Sequence, residues 1–221
     1  MRYIRDESIG GLMRTTLYAT FQALVFGSAC AIVSAAPVPT SLRNTGVELP
    51  GGKTVHIPSP NGRWTLIASP DSENQERTVA LEDKITGATT LVKRYDRSLS
   101  VGWNPDSRAF FLNDAYGSDG EDAYIYWPGK TEPLQLNAPI LRADAQAAGI
   151  PADHAYFKVR RWLGAKSVLV EYCGHGSEAP ARQFDFLYHV DLNTPEEAAI
   201  AVRRISERVG PLSFSVNECL P

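Results

Sequence analysis

Leu99-Ser100-Val101-Gly102-Trp103-Asn104-Pro105-Asp106-Ser107-Arg108-Ala109-Phe110-Phe111-Leu112-Asn113-Asp114 is the stretch whose reading decides the fold. An apolar run ends at Trp103, a polar turn follows, and a second apolar run starts at Ala109. Pro105 holds φ near the value needed at the second position of a turn, and Asn104 and Asp106 can hydrogen-bond to nearby backbone, so the chain reverses here. After an acidic Gly/Ser loop, Ala123 to Trp127 supplies a third apolar strand. Three short strands joined by tight turns make an antiparallel meander.

The same device stands upstream as Ser59-Pro60-Asn61-Gly62-Arg63-Trp64, leading into the apolar run Thr65 to Ala68. Pro60 and Pro105 are 45 residues apart, and the later turns at Thr86-Gly87 and Pro128-Gly129 are offset by 42. Both offsets match a repeat of four strands. Thr78–Glu82 and Thr89–Val92 complete the first copy, and Pro133–Leu136 completes the second. A third copy reads Tyr156–Trp162, Ser167–Tyr172 and Phe184–Leu192, with Trp162 in the place of Trp103 and Leu163-Gly164-Ala165-Lys166 replacing the proline turn.

Outside the repeats, Val47–Leu49 and Thr54–Ile57 are expected to pair through Pro50-Gly51-Gly52. Ala138–Gly149 is Ala-rich and ends in Gly149 with Pro151 beyond, which predicts a small helical insertion. Thr194 and Glu197 have capping-box spacing, Pro195 suits a first helical position, and Ala198, Val202, Ile205 and Val209 share one helical face. These signals predict a C-terminal helix over Pro195–Val209, against a competing strand at Ala199–Ile205. Leu212–Val216 is expected as a last strand beside Val47. The fold class is all-β: a propeller-like stack of about three to four four-stranded blades with a small helical insertion and a C-terminal helix.

Over roughly Thr54 to Leu192 the chain resembles the TolB-type and WD-type propeller repeats, on the motifs Ser59-Pro60-Asn61-Gly62-Arg63-Trp64 and Trp103-Asn104-Pro105-Asp106-Ser107-Arg108. The family pattern has Asp-Gly after the proline, where this chain has Asn61-Gly62 and Asp106-Ser107. The resemblance implies a rigid scaffold whose loops bind proteins or small ligands, often at the cell envelope. It implies no activity.

The N-terminus reads as an export signal. Arg2, Arg5 and Arg14 precede the apolar run Ala23–Val33, and Val33-Ser34-Ala35 offers small residues for cleavage after Ala35. Met13 is an alternative start, and an uncleaved anchor or lipidation at Cys30, in Gly27-Ser28-Ala29-Cys30, are the minor alternatives. Residues 36–46, with Pro37 and Pro39, form a tether, and residues 47–221 form a single propeller-like domain. Residues 1–35 contain three basic and two acidic side chains, so cleavage takes 22 basic and 25 acidic groups to 19 and 23, a formal charge of −4. A mildly acidic chain without a basic cluster argues against nucleic acid as a partner, and leaves the membrane only as a site of anchoring. Cys173 and Cys219 then remain, a candidate disulfide in an exported protein, with two buried thiols as the alternative.

Two loops carry the candidate binding residues. Asn113 to Asp122 offers Asp114, Asp119, Glu121 and Asp122 around Gly117 and Gly120. Such a loop can supply oxygens to calcium, although its spacing is not that of an EF-hand, and an acidic solvated turn is the plainer explanation. Glu171-Tyr172-Cys173-Gly174-His175-Gly176-Ser177-Glu178 ends an apolar strand, where scaffolds place binding residues, and His175 is its candidate. Gly176-Ser177-Glu178 lacks the Gly-x-Ser-x-Gly elbow of a serine hydrolase. His56, His154 and His189 have no metal-ligand spacing. The strand aromatics, among them Trp64, Trp103, Phe110, Tyr126 and Trp162, are expected in the core between blades.

No catalytic residue, resident metal or other cofactor is expected. The function expected is an exported, periplasmic or secreted, protein-binding module of the cell envelope. An inhibitor or immunity protein against a toxin or hydrolase is a special case, and a hydrolase or lyase using the Glu171 and His175 loop is the alternative.

Overall fold

The Pro-turn motifs fold as near-identical units. In the first, Ser59 N–H donates to the Trp64 carbonyl at 2.8 Å, Gly62 N–H to the Ser59 carbonyl at 2.9 Å, and Trp64 N–H to Ser59 Oγ at 3.0 Å. In the second, Asn104 N–H donates to the Ala109 carbonyl at 2.9 Å, Ser107 N–H to the Asn104 carbonyl at 3.1 Å, and Ala109 N–H to Asn104 Oδ1 at 3.1 Å. Gly62 and Ser107 hold the same left-handed backbone, with φ of 73° and 64°. The 45-residue offset is therefore a true structural repeat.

The computed structural model describes residues 46–49, 52–70, 77–176, 182–192 and 200–211. In chain order the strands and helices are β1 (Val47–Glu48), β2 (Val55–Pro58), β3 (Trp64–Pro70), β4 (Arg77–Asp83), β5 (Thr89–Tyr95), β6 (Ser98–Trp103), β7 (Phe110–Ala115), β8 (Gly120–Tyr126), β9 (Leu134–Gln135), α1 (Asn137–Ala143), α2 (Ala145–Ala148), β10 (His154–Trp162), β11 (Ser167–His175), β12 (Arg182–Leu192) and β13 (Ile200–Pro211). They form three antiparallel meanders, β2-β3-β4-β5, β6-β7-β8-β9 and β10-β11-β12-β13. The first is a sheet of its own. The second and third join through a short parallel contact of β10 with β8, at Ala155 against Gly120 and Tyr156 against Glu121.

The middle sheet is apolar on both faces, which is why the sheets stack. Leu99, Val101 and Trp103 of β6 and Phe110 and Leu112 of β7 pack with Leu66, Ala68, Val79 and Leu81 of the first sheet. The alternate residues Phe111, Ala123 and Ile125 pack with Phe157, Val159, Trp162 and the β11 and β12 aromatics of the third. Every residue of β7 is buried. Gly102 lies under the Phe111 ring, and a Cβ there would meet that ring at 2.5 Å, so the close approach requires glycine. The helical insertion forms as α1 and α2, burying Ile140 and Ala147 in the second core. Asp144 caps α2 by accepting from Ala147 N–H at 3.1 Å.

Two expectations are corrected. β1 pairs with β6, Val47 opposite Val101 and Glu48 opposite Ser100, and not with β2. Leu49, with its N–H bonded to the Leu99 carbonyl, is thereby buried in the first core. The C-terminal segment from Ile200 is the strand β13, not a helix. It pairs antiparallel with β12, and a bulge falls between Tyr188 opposite Arg204 and Leu187 opposite Ser206. The extra residue, Ile205, shifts the two-residue alternation by one, so Val202 and Val209, seven apart, both lie opposite core residues, Val190 and Phe184. A bulged strand thus imitates the seven-residue spacing of a helix face. The expected export signal, the expected tether up to residue 45, Cys219, residues 193–199 and the strand expected at Leu212–Val216 lie outside the described residues.

A candidate binding face along β10

β10 alternates: Phe157 and Val159 enter the core, while His154, Tyr156 and Lys158 take the opposite face. A bulge between Val159 and Arg161 adds Arg160 to the strand. Such bulges re-aim side chains beside functional sites. Because β10 lies against the start of β8 on one side and β11 on the other, it brings together the acidic loop and the end of the Glu171 strand.

Glu121 is 5% exposed. Burial pushes its carboxyl up to about 7, with Lys158 opposing the shift and Glu48 adding to it. Lys158 Nζ stands 3.8 Å from both Glu121 and Glu48. Arg160 forms an ion pair with Glu171, directly beyond. At the other end of β10 the His154 and His175 rings stack with centroids 4.3 Å apart, and the Tyr156 hydroxyl donates to the Ser118 carbonyl at 2.6 Å while lying 3.4 Å from His154 Nδ1. Ala155 N–H donates to the Asp119 carbonyl at 3.0 Å. Glu121 and His175 therefore share one face.

The other acidic residues go elsewhere. Asp114 is buried and pairs with Lys93 at 2.8 Å. Lys93 also lies over the Tyr124 ring, with its Nζ 4.8 Å from the centroid. Asp122, opposite Asp114 across β7 and β8, accepts from the Tyr124 hydroxyl at 3.0 Å, Gln135 Nε2 at 3.2 Å and Asn137 Nδ2 at 2.6 Å. Burial, together with that carboxylate, raises the Tyr124 phenol well above its ordinary range. Asp119 is exposed at the tip with Tyr116. Among the described residues, no three His, Cys, Asp or Glu side chains gather as a metal site. Cys173 is buried in β11, opposite Tyr156 and Asp185.

The sequence reading missed His154, Tyr156, Lys158 and Arg160 as site residues. Their signal was the polar residue at every second position of an otherwise apolar strand.

Face-to-face stacking of four-stranded meanders, each repeating the last, defines a β-propeller-like fold. No family model and no curated protein matches the chain. Among solved structures it is similar to TolB from Acinetobacter baumannii, at 14% identity and a TM-score of 0.32 over 65% of this chain and 41% of that one. It is also similar to the β-propeller domain of the Trilobed protease from Pyrococcus furiosus, at 12% identity and a TM-score of 0.31 over 73% and 71% of the two chains. The chain covers less than half the length of that TolB. The propeller-like assignment stands on the strand order and repeated turns of the chain itself.

Proposed function

We propose that this protein is an exported binding module of the cell envelope that engages another protein through the loops gathered on β10. The supporting observation is the meeting on β10 of the start of β8, just after the acidic loop, and the end of β11, far apart in sequence, with the exposed Tyr116 and Asp119 at their edge. Loops held by a rigid sheet stack are the usual carriers of recognition. Lys158, Arg160, Glu121 and Glu171 are paired with one another, which fixes the shape of the surface. Export by a signal peptide cleaved after Ala35 and a Cys173–Cys219 disulfide belong to the same proposal. The partner of an inhibitor or immunity protein would be a toxin or hydrolase.

One observation favours the hydrolase or lyase alternative: a carboxyl held at about 7 is matched to general acid-base work near neutral pH. Affinity capture from an envelope extract, with and without a calcium chelator, separates the two. The binding module predicts one stoichiometric partner, lost with Asp119→Lys and Tyr116→Ala at unchanged thermal midpoint. Recovery of no partner, with turnover in a hydrolase or lyase screen abolished by Glu121→Gln, would replace it by the enzyme.

A further inference from the structure

Across the third sheet, His154 of β10 stands opposite His175 of β11, and His175 stands opposite Gln183 of β12. Residues opposed in an antiparallel ladder share a face, with Cβ atoms about 5 Å apart, so the three form a row across three strands. One row further along the same face come Tyr156, Cys173 and Asp185.

Two oxygens in these rows are sealed and unpaired. Gln183 Oε1 and Asp185 Oδ1 accept no hydrogen bond among the described residues, and Gln183 is only 6% exposed. A buried acceptor without a donor is rare, and it points to a donor or a cation from outside the described chain. Asp185 adds negative charge one row from Gln183, shared with Arg208 through its other oxygen at 2.8 Å.

His154 is oriented to ligate. The Tyr156 hydroxyl gives its one hydrogen to the Ser118 carbonyl, so toward His154 Nδ1, 3.4 Å away, it can only accept. That keeps the proton of the neutral imidazole on Nδ1 and leaves the lone pair on Nε2, the arrangement in which histidine binds metals. The His175 side chain makes no hydrogen bond among the described residues, and its ring lies 23° from parallel with that of His154. Zinc–nitrogen bonds of about 2.0–2.1 Å set two tetrahedral ligand nitrogens about 3.4 Å apart, against 4.3 Å between the ring centroids. A tilt of one ring edge through the soft χ2 torsion closes that difference.

Two imidazole nitrogens and an amide oxygen suit a borderline divalent ion, and not the all-oxygen sites of calcium or magnesium. We propose that His154, His175 and Gln183 Oε1 bind one Zn²⁺ on this face of the third sheet, with a fourth position open to water. The site adjoins the β10 binding face but requires no protein partner, so it is independent of the binding-module reading.

The test titrates zinc chloride into the untagged full-length protein, followed by calorimetry, with calcium chloride as comparator. Zinc is expected to saturate at one equivalent, and calcium to give no binding at the same concentrations. His154→Phe and His175→Phe, which keep the ring stack, should each weaken zinc at least about tenfold at unchanged thermal midpoint. Gln183→Leu should weaken it by a smaller factor, and His189→Ala, on β12 but outside the row, should leave it unchanged. In the wild-type protein, imidazole nitrogen NMR should place the zinc on His154 Nε2, with Nδ1 protonated. Failure to saturate at one equivalent, wild-type affinity in both phenylalanine variants, or unshifted His154 and His175 nitrogens at saturating zinc would overturn the proposal.

Discussion

The indole N–H of Trp162 donates to the Gly102 carbonyl at 2.9 Å, bonding the first strand of the third sheet to the first strand of the second. Trp103 repeats the bond one sheet earlier, donating to the Ile57 carbonyl at 3.1 Å. Each tryptophan is both a core side chain and a clamp on the preceding sheet.

Trp162→Ala or Trp103→Ala should each lower stability by about 3–5 kcal/mol, since both rings are buried and leave a large cavity. Trp103→Phe, which keeps a ring but loses the bond to Ile57, should cost less. Urea denaturation followed by circular dichroism reads both, and a near-neutral Trp103→Ala would show that its ring is not core.

Asn113 stitches β7 to β10. It accepts from Val159 N–H at 2.8 Å and donates to the Val159 carbonyl at 3.1 Å and to Ser100 Oγ at 2.9 Å. Its side chain thereby stands in for a neighbouring strand. Asn113→Leu would leave both Val159 backbone groups buried and unpaired, at about 2–5 kcal/mol. Hydrogen exchange should locate the loss at Val159, and protection there equal to wild type would contradict this role.

Ser107 separates backbone strain from hydrogen bonding. It sits at φ 64°, a conformation that favours glycine, yet its Oγ accepts from Asn61 N–H at 2.9 Å, joining the two turn motifs. Ser107→Ala keeps the strain and loses the bond, whereas Ser107→Gly loses both. The glycine variant should therefore be more stable than the alanine variant by about 1 kcal/mol, with thermal unfolding as the measurement.

Glu121 sets a pH dependence. A carboxyl raised from 4.5 to about 7 binds its proton more readily in the folded than in the unfolded chain. Its contribution is therefore complete below the lower value, falls as pH rises between the two, and is lost above about 7. The span is worth up to about 3 kcal/mol. Glu121→Gln should be near neutral at pH 5 and stabilising at pH 8, with Lys158 keeping Glu48 as its partner. A variant equally destabilised at both values would contradict the assignment.

The repeat was legible because its turns have strict local chemistry: Pro60 and Pro105, a left-handed residue two positions later, and an apolar strand after each. The third sheet was found through Trp162 and its apolar runs even though its turn is different. The C-terminal strand was misread because the bulge at Ile205 spaces Val202 and Val209 as a helix does, and pairing with β12 is a long-range fact invisible to local pattern. For the site, the sequence supplied the loops but not their juxtaposition. Glu121 and His175 share a face only because β10 runs between them, whereas Asp114 and Asp122 are drawn off by Lys93 and Asn137.

Photo-crosslinking in intact cells tests the binding face most directly, with a photoreactive phenylalanine at position 116, on the exposed loop beside β10. The control is the same group at position 108, a side chain 81% exposed in the turn at the other end of β7. One discrete protein adduct from position 116 and none from position 108 is the predicted result. Equal adducts from both positions, or none from position 116, would contradict the assignment of this face to a protein partner.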